Sequence, residues 1–203
     1  VRRLTAPPFA TAPVGRHQVR LTEGVRRQAM LIQNYGLYWR EEDVFWGRQR
    51  SAGTLLGVQA ERVTAEPVNF REQAGVYVLY ADFDMVYVGQ AGNRNQKLFD
   101  RLRQHRRDAL ANRWNQFSWF GTRRVLKNGN LSSTRGDGAY STQSQVLNHI
   151  EAILINCAEP ALNRQGGRFG SNVEQYLQHR DDNIGPTQDE MLYDLWKGRE
   201  REQ

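Results

Sequence analysis

The chain has 203 residues, with 28 Lys plus Arg against 22 Asp plus Glu and a formal net charge of +6. That length supports one domain, or one domain with an appendage, and a real core. None of its apolar runs reaches the roughly 18 residues of a membrane span, and none has the form of a leader, so neither a span nor a signal peptide is expected. The single cysteine, Cys157, has no partner for an internal disulfide; an inert core thiol in a reducing cytoplasm is the expectation. No Cys/His cluster has zinc spacing, and His17, His149 and His179 stand apart, which marks them as structural or solvated.

In chain order, Pro7, Pro8 and Pro13 predict an extended arm, and Glu23 to Asn34 a short helix. Tyr35, Tyr38, Trp39, Phe45 and Trp46 surround the acidic triplet Glu41-Glu42-Asp43. Those rings fit an accessory core or, with Arg40, Arg48 and Arg50, a nucleic-acid surface. The run GVYVLYADFDMVYVG, from Gly75 to Gly89, alternates valines and aromatics around a polar turn at Ala81 to Asp84. That pattern predicts a β-hairpin. If Tyr77 lies opposite Tyr87, Val76 and Val78 meet Val88 and Val86 on an apolar face, and two phenols share the other beside Gly75 and Gly89.

From Lys97 onward, Leu98, Leu102 and Ala109 recur at helical spacing, and Arg101 and His105, four apart, share one face. Arg103, Arg106 and Arg107 spread charge around that helix. A short aromatic strand, Gln116 to Phe120, ends at Gly121 with Arg123 and Arg124 behind it. The polar stretch 127–144 predicts a long loop, a length usually tied to function or disorder, with Arg135 in it. Val146, Leu147, Ile150, Ile153, Leu154 and Cys157 then define a helix, and Glu151 lies at the margin of its apolar face. A half-buried carboxylate is costly unless paired, hydrogen-bonded or metal-bound, which makes Glu151 a candidate functional group. A turn follows Pro160, and 172–180 is expected to be helical. The acidic segment after it is expected to pack on the body or on a second subunit.

The charge is uneven. Basic and acidic residues number 10 and 6 over 1–70, 14 and 8 over 71–170, and 4 and 8 over 171–203. A positive excess confined to the first two stretches is the footprint expected for nucleic acid. Only three of the basic residues are lysines. Arginine suits bidentate phosphate recognition, though a GC-rich genome gives the same bias.

Gly75-Val76-Tyr77, Tyr87-Val88-Gly89, Arg101 and His105 on one helix, Glu151 on a later one and then Asn163 together resemble the GIY-YIG nuclease superfamily, over about residues 71–169. Valines stand where the family name has isoleucines. The resemblance implies an α/β (α+β) module, a three-stranded antiparallel sheet flanked by helices. Residues 1–70 would then be an N-terminal arm and accessory region, and 170–203 a C-terminal helical extension. It implies a DNA endonuclease using Mg²⁺ or Mn²⁺, with restriction or phage defence as its expected role. The alternatives are a structure-selective repair or recombination nuclease and a DNA-binding module without chemistry. Carried over by position, Tyr77 and Tyr87 would flank the attacking water, with Tyr77 as base or proton relay. Arg101 would hold the phosphate, His105 would bond near the water or a tyrosine, Glu151 would be the only metal carboxylate, and Asn163 would brace the site. Arg103, Arg106, Arg107, Arg123, Arg124 and Arg135 would contact double-stranded DNA.

Overall fold

The sequence Gln-Phe-Ser-Trp-Phe-Gly at 116–121 puts apolar groups on both faces of an extended strand, which suits it to the inside of a sheet. The structure, a computed structural model, describes residues 31–92, 96–133, 143–159, 167–170 and 172–200. Its strands are β1 (Asn34–Arg40), β2 (Leu56–Gln59), β3 (Val68–Asn69), β4 (Gly75–Ala81), β5 (Asp84–Ala91), β6 (Gln116–Gly121) and β7 (Glu174–Gln178). Its helices are α1 (Leu98–His105), α2 (Gln143–Ala158) and α3 (Gln188–Glu200). The strands form one sheet in the order β3-β2-β7-β1-β6-β4-β5. All neighbours run antiparallel except β1 and β7, which are parallel through Asn34–Glu174 and Tyr35–Gln175.

The expected three-stranded antiparallel sheet is therefore corrected to a seven-stranded mixed one. A sheet ending at β6 would leave a strand that is buried on both faces with an unpaired edge, and β1 takes that edge instead. Of the rings at 35–46, Tyr35, Tyr38 and Trp39 belong to β1 of the same sheet, with Trp39 buried against Phe70, Phe117 and Trp119. The helix expected over 172–180 is strand β7. Tyr176 points into the core while Leu177 faces out, a period of two that five residues show only faintly. Of the helix expected over Glu23 to Asn34, residues before 31 lie outside the described set, and Asn34 opens β1.

Alternation along β4 and β6 divides the core in two. Tyr77, Leu79, Phe117 and Trp119 pack with Leu98, Phe99 and Leu102 of α1. On the opposite face, Val78, Tyr80 and Phe120 pack with Ala152 and Cys157 of α2. Buried Gln73 ties three strand ends together. Its amide nitrogen donates to Asn34 Oδ1 (2.8 Å) and to the Arg123 carbonyl (3.0 Å), and its Oε1 accepts the Ala74 and Arg123 N–H groups. No described helix is long and apolar enough to cross a membrane.

Candidate active site

Asp82 and Phe83, both left-handed (φ 49° and 76°), form the two-residue turn between β4 and β5. A two-residue turn alone would put Tyr77 and Tyr87 on opposite faces. A bulge cancels this: Tyr80 pairs with Met85 but Leu79 pairs with Tyr87, which leaves Val86 as the extra residue on β5. Tyr77 thus lies opposite Gly89, not Tyr87 as expected, yet both phenols share a face with ring centroids 6.2 Å apart. Their face is buried, and the opposite face is buried at Val78 of β4 but not along β5. Val86 and Val88, expected inside, are 43% and 55% exposed.

Gly89 is small because Tyr77 needs its place. A Cβ there would collide with the Tyr77 phenol and crowd the Tyr87 ring. The glycine expected to admit a ligand makes room for the protein's own tyrosine.

α1 delivers His105 to this pair from its last turn. The imidazole is buried, its Nε2 is 2.8 Å from the Tyr77 Oη, and its ring meets Tyr87 edge-on at 4.9 Å. Its Nδ1 is 2.8 Å from Asp108 Oδ2. Arg101, one turn earlier, donates to Gln104 Oε1 (2.9 Å) and lies close enough to Tyr77 to act on its ionisation. Burial pushes the Tyr77 phenol up to about 12; the Arg101 charge and hydrogen bond oppose the rise, and Tyr87 adds to it. The expectation that Arg101 would favour phenolate thus meets a larger opposing effect. The Asp108 carboxyl is held below the usual carboxylate range, chiefly by the Leu110 N–H and then by His105 and Arg101.

Tyr77, Tyr87, Arg101 and His105 are therefore brought together, and Asp108 joins them. Asp108 was not among the expected residues. The one signal for it was His-x-x-Asp at the end of a helix, the spacing of side chains one turn apart.

Glu151 is not brought to this cluster. Its helix seats Ala152 and Cys157 on the other face of the sheet, and Glu151 itself is exposed rather than half-buried. Among the described residues no group of three or more His, Cys, Asp or Glu could hold a metal. Glu151, carried by a helix on the other face of the sheet from Tyr77, Arg101 and His105, does not fit as the holder of a metal serving them. Asn163 and Arg135 lie outside the described residues.

The arginines expected on DNA differ in their engagement. Arg106 is ion-paired with Glu41 and lies over the Trp46 ring at 4.6 Å. Arg103 faces Asp100 at 3.6 Å and the Phe99 ring at 5.4 Å. Arg107 is exposed and lines a cleft with Gln96, Asp100, Arg103, Gln104 and Asp108. Arg123 and Arg124 hold the end of β6 through backbone bonds to Gln73 and Ser132. His149, read from sequence as structural or solvated, is buried and accepts the Ile32 N–H at 3.1 Å. No family model, no curated protein and no solved structure matches the chain.

Proposed function

We propose that the protein hydrolyses phosphodiester bonds of double-stranded DNA, with Tyr77 and His105 activating the water and Arg101 meeting the phosphate. The observation that carries this reading is the 2.8 Å contact between the Tyr77 hydroxyl and His105 Nε2, with Arg101 on the same helix one turn away. A phenol pushed up to about 12 is a poor base by itself near neutral pH. As a relay it needs no phenolate. Tyr77 is fully buried at rest, so DNA binding has to admit the attacking water; the phenol oxygen then takes a proton from that water while its own proton passes to Nε2. The water oxygen bonds to phosphorus, the bond to the leaving oxygen breaks, and that oxygen takes a proton from solvent. The Arg101 guanidinium offsets negative charge growing on the phosphoryl oxygens. Tyr87 walls the imidazole and keeps bulk water from it.

Incubation with plasmid DNA, with Mg²⁺ or with EDTA, followed by mapping of the ends, tests the activity. Tyr77→Phe removes the relay and should slow single turnover by about 10²–10⁴-fold with DNA affinity nearly kept. Wild-type turnover in that variant would reduce the phenol to a packing role. Glu151→Gln, on the helix at the other face of the sheet, should cleave within a factor of a few of wild type; loss of the Mg²⁺-dependent rate would bring Glu151 into the site.

A further inference from the structure

The two oxygens of Asp108 are divided between two tasks. Oδ1 accepts the Leu110 N–H at 2.8 Å and closes the turn after α1, while Oδ2 faces His105 Nδ1 at 2.8 Å. An ionised carboxylate only accepts hydrogen bonds, so the proton of the neutral imidazole belongs on Nδ1. Nε2 then presents its lone pair to the Tyr77 hydroxyl. In the other tautomer an N–H would point at the phenol oxygen, and the phenol proton would have no acceptor there.

We infer that Asp108 is the positioning residue of this site: it fixes His105 in the Nδ1–H tautomer, so that Nε2 is free to take the proton of Tyr77. The inference rests on the nuclease reading for its catalytic consequence, but the tautomer is a property of the resting protein. The step balances. The Tyr77 O–H bond breaks and an Nε2–H bond forms, the Nδ1–H stays in place, and the positive imidazolium is offset by the adjoining carboxylate, which takes no proton itself. After turnover Nε2 returns its proton to solvent and the resting tautomer is restored. The groups facing the imidazole are Tyr77 of β4, Tyr87 of β5 and Asp108, with Arg101 on its own helix. The Asp108 side chain is 32% exposed and borders the cleft with Arg103 and Arg107, so the outer end of the array meets water.

Asp108→Asn separates positioning from structure. The amide oxygen keeps the Leu110 N–H and the turn. The amide nitrogen then stands where Oδ2 was, donates to Nδ1 and forces the proton to Nε2. Long-range ¹⁵N–¹H spectra of the imidazoles, with His105 assigned through its loss in His105→Gln, should show Nδ1–H in wild type and Nε2–H in Asp108→Asn. Single-turnover cleavage by that variant should fall about 10²–10⁴-fold, with DNA affinity within about threefold and an unchanged melting profile, as an isosteric swap predicts. An Nε2–H tautomer in wild type overturns the inference, and so does an Asp108→Asn protein that keeps Nδ1–H or cleaves near the wild-type rate. Should Asp108→Asn fail to fold, the wild-type spectrum still decides. Should wild type cut no DNA, the nuclease reading fails while the spectra still judge Asp108.

Discussion

Gly89 and Tyr77 face each other across the hairpin, and the larger residue occupies the space of both. Gly89→Ala should destabilise the fold by about 1–3 kcal/mol, the range for overpacking a tight site, and should push the phenol off His105. Urea unfolding gives the first effect, and the second appears as lost turnover beyond the loss of folded protein. Arg101 lies within α1 and Arg106 just past its end, and they have different neighbours. Arg101→Ala should lower the single-turnover rate far more than DNA affinity, because a charge aimed at the transferring phosphate acts in the transition state. Arg106→Ala should instead lower stability by about 0.5–2 kcal/mol, through its lost pairing with Glu41 and its lost stacking on Trp46. Cleavage rates and melting curves of both variants check the contrast. Equal loss of turnover in the two would remove any special role for Arg101.

β7 is held on both sides, while none of the described side chains of α3 belongs to either core cluster. Tyr176→Pro removes a ladder donor and a ring packed on Phe70, and should leave no cooperative melting transition. Leu192→Pro breaks α3 and should leave the melting transition of the sheet within a few degrees of wild type. Calorimetry on the two variants tests this. The elements that were legible in the sequence are those with a strong period: the hairpin, α1 from Leu98 and Leu102, β6 and α2. Their partners were not. The register turned on one bulged residue, Val86, that alternation does not reveal, and β7 hid in a short polar segment. Tyr77, Tyr87, Arg101 and His105 were legible as a group because the hairpin face and a helical step of four fix their neighbourhood. Asp108 was not, since it acts from the turn beyond the helix. Glu151 was misjudged in its burial because the wide apolar face of α2 is buried only along part of its width, leaving Leu147, Ile150 and Leu154 exposed.

At the scale of the molecule, five of the seven tyrosines among the described residues are pushed above the ordinary phenol value. Burial is the main cause in each, and Tyr38 and Tyr77 reach about 12. An unfolded tyrosine loses its proton near pH 10. Between roughly pH 10 and 12 the unfolded chain therefore binds fewer protons than the native one, and stability falls as pH rises. The melting temperature should change little from these groups between pH 7 and 9 and drop steeply above 10, alongside tyrosinate absorbance at unfolding. Tyr77→Phe should make that drop shallower. A melting temperature flat through pH 11 would contradict the burial of these phenols. The sheet order has a different consequence, in time. β7 is the seventh strand along the chain but lies third across the sheet, between β2 and β1. β2 and β3, of four and two residues, are too short to persist as a hairpin before it arrives. Pairing Asn34 with Glu174 closes a very long loop, a slow kind of event, so refolding should be limited by that closure rather than by the hairpin that carries the tyrosines. A ribosome presents the strands in one order and the sheet accepts them in another, and the fold is completed only when the seventh strand has found its place inside.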